Sequence, residues 1–185
     1  MNIIRIMGVD PGNNLGIGIL TIDLDTSAIL GVNTNFHILD SYINPLSHDT
    51  MLDRCNKLNG IITENMKCYN PLVVGLESSF MNVRFAKSVI QLSQYVMTIE
   101  MAVRNYDYWT RLFKYPPKMI KALVGAGGDA GKNDMLTNLK SKSELTKFVN
   151  LDLLTEHEID ALSIAYVTYK EIINNPYYLL TLPTY

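Results

Sequence analysis

The chain has 185 residues with two cysteines, a hydrophobic fraction of 48% and a formal net charge of −2 at pH 7. These values predict one globular domain with a sizeable core, and the cysteines, which form no Cys-x-x-Cys pair, indicate neither a zinc site nor a disulfide framework. No apolar run approaches the roughly 18 residues that a membrane span requires, and no signal peptide precedes the first strand-like segment, so we expect no membrane contact.

Apolar patterns predict the secondary structure in chain order. Strands are predicted at residues 3–10, 16–22, 36–43, 72–77 and 108–115. Helices are predicted from residue 47 or 49 to about 67, from 84 to 104, over a short basic segment that opens at 116–117, from about 132, and from 156 to 173. Three strands, followed by two strands that alternate with helices and then by helices alone, predict an α/β fold with an antiparallel hairpin in an otherwise parallel sheet.

Two of the predicted strands end on an acidic residue. Asp10 ends the first apolar run and is followed by Pro-Gly, and Glu77 ends the run that begins after Pro71. Carboxylates at the ends of two buried strands are costly unless they meet at a site with bound cations. Oxygen ligands suit hard cations such as Mg²⁺ or Mn²⁺. The pair therefore predicts a metal-dependent enzyme that acts on phosphate esters.

A His-x-x-Asp pair opens the last predicted helix. His157 and Asp160 lie three residues apart on one helical face, and Ile164 continues this face toward the core. A lone histidine there is more often structural, but a histidine, an aspartate and two strand-end carboxylates together favour metal binding. Glu156 and Glu158 flank the pair as first-turn acids that the helix dipole favours.

Charge is unevenly distributed in the second half of the chain. Residues 111–147 contain eight Lys or Arg and three acids, whereas residues 152–160 contain four acids and no Lys or Arg. Such blocks are expected of a basic DNA-facing surface beside an acidic metal site, but two unrelated solvated faces would give the same pattern. The glycine-rich loop at 125–131 matches neither a P-loop nor a dinucleotide fingerprint in its proper context, and it could instead close over a DNA backbone.

Four segments, in this order, resemble the RuvC family of Holliday junction resolvases over about residues 4–170. Gly-Val-Asp-Pro-Gly at 8–12 resembles the family's first strand with its catalytic aspartate, and Glu-Ser-Ser-Phe-Met at 77–81 resembles the segment of the second acid. Residues 115–132 resemble the basic helix and loop that grip DNA. Residues 157–165 resemble the closing helix, where members carry Asp or His at the position of His157. The acidic net charge and the polar stretch at 140–150 depart from the pattern and leave substrate preference open.

The resemblance implies an RNase H-like fold, a five-stranded mixed sheet flanked by helices, over residues 1–173, with 174–185 as a C-terminal tail. It implies a homodimer that resolves Holliday junctions and related branched DNA, such as three-way junctions and flaps, by paired nicking that leaves 5′-phosphate ends. Two Mg²⁺ ions per active site, for which Mn²⁺ would substitute, would be held by Asp10, Glu77, His157 and Asp160. DNA contacts are expected from Phe80, Lys118, Lys121 and Lys132, and Phe80 could equally pack in the core.

The expected dimer interface is the predicted helix 84–104, where Met97 and Met101 lie beside the main core stripe, although the same helix could be fully buried. We expect a cytoplasmic protein of a bacterial cell or a phage-infected host. Two other interpretations remain: a non-catalytic RNase H-like protein that binds branched DNA, and a sugar-kinase or actin-like ATPase, which also opens on an Asp-x-Gly hairpin. The ATPase class needs two such domains, and 185 residues are too few.

Overall fold

Five strands form one sheet in the order β3-β2-β1-β4-β5 in the computed structural model, which describes residues 2–40, 49–78, 86–129, 131–175 and 177–178. The strands are β1 (Ile3–Asp10), β2 (Asn14–Asp23), β3 (Ala28–Ile38), β4 (Val73–Glu77) and β5 (Arg111–Tyr115). β2 is antiparallel to both β1 and β3, whereas β4 is parallel to β1 and β5 is parallel to β4. The predicted antiparallel hairpin in an otherwise parallel sheet is confirmed.

Helices cover both faces of this sheet. They are α1 (Met51–Tyr69), α2 (Ala86–Tyr106), α3 (Pro117–Val124), α4 (Lys132–Lys140), α5 (Ser143–Thr146) and α6 (Glu156–Asn174), and a 3₁₀ turn covers Leu151–Leu153. Side chains of β1 alternate between two cores, so that Ile6 packs in the cluster with α6, α3 and α4, while Met7 and Val9 pack in the cluster with α1 and α2. Within the described residues, no helix is long and apolar enough to cross a membrane.

The third strand differs from the prediction. The sequence placed it at 36–43, but β3 covers Ala28–Ile38 and pairs with β2 along most of its length. The strand lies at the edge of the sheet and contains Asn33, Thr34 and Asn35 in its middle. Such a polar edge lacks the apolar run that marks a buried strand, so its first half escaped the sequence analysis. Residues 41–43 lie outside the described part of the chain.

Two other boundaries were also misplaced, and one short helix was not predicted. Thr50, rather than residue 47 or 49, caps α1, because its hydroxyl accepts from the main chain of Asp53 and the Asp53 side chain accepts in return. β5 begins at Arg111 instead of residue 108. The polar stretch at 140–150 contains α5, which buries Leu145 in the same cluster as α6. Isolated apolar residues in a polar segment give no periodicity from which to predict such a helix.

Four glycines allow α6 to lie against the sheet. A Cβ atom at Gly8 would meet main-chain atoms of Ala161 and Ala165, and one at Gly16 would meet the main-chain carbonyl of His157. Cβ atoms at Gly18 and Gly75 would likewise collide with α6. Because no side chain separates these strands from the helix, the first turn of α6 is brought next to the end of β1.

We predict that Gly8→Ala destabilises the protein by at least about 2 kcal/mol, because the added methyl group overlaps main-chain atoms that cannot rotate away. Thermal or urea unfolding measures the effect. The matched control is Gly60→Ala on the exposed side of α1, where a Cβ meets no atom within 4 Å; it should raise stability by up to about 1 kcal/mol. Equal effects of the two substitutions would contradict the close packing of α6 on β1.

Candidate active site

Two carboxylates lie at the carboxyl ends of neighbouring strands inside the sheet. Asp10 and Glu77 are the last residues of β1 and β4, which are parallel neighbours. The residues just before them, Val9 and Leu76, are cross-strand partners, so the two acids emerge in register. Both side chains are half-buried. The structure therefore brings the two predicted acids to neighbouring strand ends.

The first turn of α6 brings His157 to Asp10. The Nδ1 atom of His157 lies 2.9 Å from Oδ2 of Asp10, and the ring nitrogen donates because an ionised carboxylate can only accept. This hydrogen bond raises the pKa of His157, burial opposes the rise, and the charges of Asp10, Glu156 and Asp160 add to it. The structure therefore places His157 beside Asp10 at the end of β1.

Two residues that the sequence analysis missed hold this turn from β3. The ring of Phe36 stacks on His157 with centroids 5.8 Å apart and planes inclined by 12°. The hydroxyl of Thr34 donates to Oε1 of Glu158 at 2.9 Å, while Glu158 also forms a capping box with Thr155. Phe36 and Thr34 are far from α6 in sequence, and only the pairing of β3 with β2 brings them close. Glu158, predicted as a simple first-turn acid, therefore also fixes the helix end.

Glu77 has a strongly raised pKa. Burial raises its pKa to about 8, with further contributions from the negative charges of Asp10 and Asp160, and the positive charge of Lys121 opposes the rise. Glu77 therefore retains its proton near neutral pH when no cation is bound. Because charges interact strongly only at short range, these effects also show that Asp160 and Lys121 lie close to Glu77.

The four predicted ligands lie in one region of the structure, but their arrangement is not that of a metal-binding group. Among the described residues, no group of three or more His, Cys, Asp or Glu side chains could hold a metal ion as arranged. The chemistry of the donors nevertheless fits one, because the carboxylate oxygens and the imidazole suit a divalent cation. The proton that Glu77 retains is the charge that such a cation would replace.

The structure describes only some of the predicted DNA-binding side chains. Lys118 and Lys121 both lie on α3, as predicted, and Lys118 Nζ forms an exposed ion pair with Asp129 Oδ1 at 2.8 Å. Lys132 is the first residue of α4, but its side chain lies outside the described atoms. Phe80 lies outside the described residues, so its role stays a prediction.

Comparison with known proteins identifies the family. The family model described as crossover junction endodeoxyribonuclease RuvC matches residues 6–169. The chain belongs to the RuvC family. A RuvC from Myxococcus xanthus (strain DK1622) is 29% identical over 162 residues, which cover 87% of this chain and 78% of that protein. A RuvC from Orientia tsutsugamushi (strain Ikeda) is 26% identical over 164 residues, or 87% of this chain and 92% of that protein.

Solved structures of RuvC-type proteins share the fold. T. thermophilus RuvC in complex with a Holliday junction substrate aligns with a TM-score of 0.70 and 18% identity over 93% of this chain and 97% of that chain. The yeast mitochondrial Holliday junction resolvase Ydc2 aligns with a TM-score of 0.62 and 13% identity, and the alignment covers 96% of this chain and 82% of that chain. The predicted RNase H-like fold is therefore confirmed. Membership of the RuvC family confirms the predicted enzyme class, a nuclease, and does not favour the non-catalytic or ATPase interpretations.

We predict that Glu77→Gln is more stable than the wild type at pH 8 in metal-free buffer. The folded-state pKa of about 8 exceeds the ordinary value of 4.5, so the wild type loses stability as pH rises between these values. A glutamine does not titrate, and the difference at pH 8 should be at most about 4 kcal/mol and should fall below about 1 kcal/mol near pH 5. Urea unfolding at both pH values measures it.

The matched control for this measurement is Glu64→Gln, which changes an exposed carboxylate on α1. This substitution should leave the free energy of unfolding nearly unchanged at both pH values. If Glu77→Gln were no more stable than the wild type at pH 8, the burial of the Glu77 carboxyl group near other negative charges would be wrong.

Proposed function

We propose that this RuvC-family chain is a divalent-metal-dependent endodeoxyribonuclease that resolves four-way DNA junctions by paired nicking and leaves 5′-phosphate ends. The proposal is carried by one observation. The first turn of α6 brings His157 and Asp160 to the carboxyl ends of β1 and β4, where Asp10 and Glu77 lie. Three-way junctions and flaps are proposed as further substrates. We also propose that it acts in the cytoplasm of a bacterial cell or a phage-infected host, where its two free cysteines would stay reduced.

The four residues would share the binding of two Mg²⁺ ions, or Mn²⁺ in their place, which would supply positive charge for the phosphate and for activating a water molecule. The chain's own contribution is to prepare the ligands. Asp10 and Phe36 hold the imidazole of His157 in one orientation from two sides. The charge of Asp160 helps to raise the pKa of Glu77, which indicates that the two carboxyl groups belong to the same cluster. Preparing charged ligands before substrate arrives avoids the cost of reorganising them during the reaction.

DNA binding is proposed to begin on the lysines beside the acid cluster. Lys121 lies near Glu77, so a phosphate group that reaches the carboxylates also meets this positive charge. Lys118 is held by Asp129 in an exposed pair, and exposed pairs contribute little stability, so a phosphate can replace Asp129 at low cost. Lys132 and Phe80 are proposed as further contacts to the backbone and to an opened base. A local basic surface of this kind is compatible with a net charge of −2.

The proposed dimer uses the outer face of α2. Ile90, Met97 and Met101 are 61%, 64% and 58% exposed, and their spacing of seven and four residues places them on one side of the helix. The opposite side buries Tyr95 and Ile99, so the interpretation of a fully buried helix is wrong. A second copy presenting the same face would cover these residues symmetrically. Two active sites related by a twofold axis match the symmetry that paired nicking requires.

We predict that Asp10→Asn abolishes cleavage of a synthetic four-way junction while its affinity for the junction changes less than threefold, roughly 0.6 kcal/mol. The substitution removes a metal ligand but leaves the lysines of α3 intact. Single-turnover cleavage in Mg²⁺, and binding in Ca²⁺ or without divalent cations, provide the two measurements. Cleavage by Asp10→Asn at a rate near that of the wild type would contradict the metal-site assignment.

One lysine variant tests the proposed DNA surface, and a second lysine variant serves as its control. Lys121→Ala should weaken junction binding and reduce the slope of log affinity against log salt by about one, because one phosphate contact is lost. Lys67→Ala, an exposed lysine in the last turn of α1, should change neither value. If the salt dependence of Lys121→Ala equalled that of the wild type, the proposed DNA surface on α3 would be wrong.

We predict that Met97→Asp converts a dimer into a monomer at micromolar concentration, because an unpaired carboxylate would be buried in the apolar seam. Sedimentation velocity measures the oligomeric state. Leu52→Asp is the matched control, since Leu52 is 68% exposed on α1 and outside the seam. A wild-type protein that stays monomeric both free and on a junction would exclude paired cutting by a preformed dimer.

A further inference from the structure

A polar network joins the turn after β1 to α2. The Oδ1 atom of Asn13 accepts hydrogen bonds from the hydroxyl of Tyr95 at 2.6 Å and from Nε2 of Gln91 at 2.8 Å. The same Gln91 nitrogen lies 3.0 Å from the Tyr95 hydroxyl oxygen. The main-chain carbonyl of Asn13 accepts from the amide of Leu39 at 2.7 Å. Because Tyr95 is only 1% exposed, this network fixes the turn to a rigid part of the core.

The network also fixes the orientation of two amide groups. Asn13 uses its oxygen inside the network, which leaves its Nδ2 group, a donor, for another partner. Gln91 uses its nitrogen inside the network, which leaves its Oε1 atom, an acceptor, for another partner. Two neighbouring side chains therefore offer one amide donor and one amide acceptor. Adjacent amide donors and acceptors are the groups with which proteins recognise base edges.

These two amides face a recess of about 280 Å³, which exceeds the volume of one nucleobase. The recess is lined by Gly12, Asn13, Ser88, Gln91, Leu92 and Tyr95. Leu92 supplies an apolar wall against which the face of a planar base can rest, while the amides supply hydrogen bonds. A shallow site with one apolar wall and a few oriented polar groups is suited to a nucleobase.

The recess lies beside the proposed path of the cut strand. Asn13 follows Asp10 by three residues, so their Cα atoms are at most about 10 Å apart. Lys121 of α3 lies near enough to Glu77 on β4 to lower its pKa. A strand whose scissile phosphate meets Asp10 and Glu77, with its backbone toward α3, therefore has a neighbouring base within reach of the recess.

We propose that Asn13 and Gln91 bind the edge of a nucleobase next to the scissile phosphate, and that Tyr95 is the positioning residue that orients them. This inference rests on the proposed junction-cleaving function and adds to it a determinant of cleavage sequence. The phosphate contacts of the lysines carry no sequence information, whereas hydrogen bonds to base edges do. The recess would therefore select where along a junction the enzyme cuts.

The test is single-turnover cleavage of four-way junctions in which each nucleotide flanking the cut is varied through the four bases. The wild type should cut the preferred base at one flanking position at least about fivefold faster than the least preferred base. Gln91→Ala and Asn13→Ala should bring this ratio close to one at the same position while still cutting. Tyr95→Phe, which removes only the hydroxyl, should lower the same ratio.

The controls separate base recognition from general damage. Tyr169→Phe removes a buried hydroxyl that bonds the Ser27 carbonyl at 2.8 Å near the turn between β2 and β3, and it should keep the wild-type ratio. Asn59→Ala removes an exposed amide on α1 and should also keep it. Loss of the ratio in these controls, or its retention in Gln91→Ala and Asn13→Ala, would overturn the inference. So would a wild type that cuts all flanking bases equally.

A wild type that cuts no junction would count against the proposed function but would not end the test of the recess. Affinity for the same junction set would then be measured with the intact protein in Ca²⁺. A preference of the wild type for one flanking base, lost in Gln91→Ala and kept in Tyr169→Phe, would support the base contact. Equal affinity for all four bases would overturn it.

Discussion

The close contact between α6 and the sheet is the constraint on which the active site depends. His157 and Asp160 reach the acids of β1 and β4 only because glycines occupy the strand positions beneath the helix. A side chain as small as alanine at Gly8 or Gly16 would push the helix outward. The hydrogen bond between His157 and Asp10 would then be lost, because such a bond tolerates only a few tenths of an ångström. Packing and chemistry therefore share one requirement in this protein.

The same contact between α6 and the sheet brings Asp160 near Asp10 and Glu77. Negative charge therefore accumulates in a position that is largely shielded from water. Burial and the two neighbouring acids raise the pKa of Glu77 to about 8, so the metal-free fold accepts a destabilised carboxyl group. Such a group is unfavourable for stability alone, and its retention is expected where a cation is to be bound. The positive charge of Lys121 lessens the repulsion but also offers a first contact to phosphate. Stability and substrate recognition thus use the same short-range electrostatics.

The acids and the histidine could be predicted from sequence because each is marked locally. Asp10 and Glu77 end apolar runs, and His157 with Asp160 obeys helical spacing. The contacts that orient these residues could not be predicted. Phe36 stacks on His157 from an edge strand that is remote from α6 in sequence, and Asn13 meets Tyr95 across 82 positions of sequence. Contacts of this kind depend on how elements pack, which no local period encodes. Phe80 stays a prediction, since it lies outside the described residues.

Helix α2 is the element that connects the separate parts of the proposed mechanism. Its inner face packs Tyr95, Val96 and Ile99 in the core with α1 and the sheet. Its outer face carries the apolar seam proposed for the second copy. Gln91 and Tyr95, on the same helix, hold the turn that follows Asp10. Because a packed helix moves as a rigid unit, the proposed partner subunit and the proposed base contact would act on the catalytic turn through one body. In a homodimer this arrangement would place each catalytic turn under the influence of the shared interface, which is what coordinated cutting of two opposed strands requires.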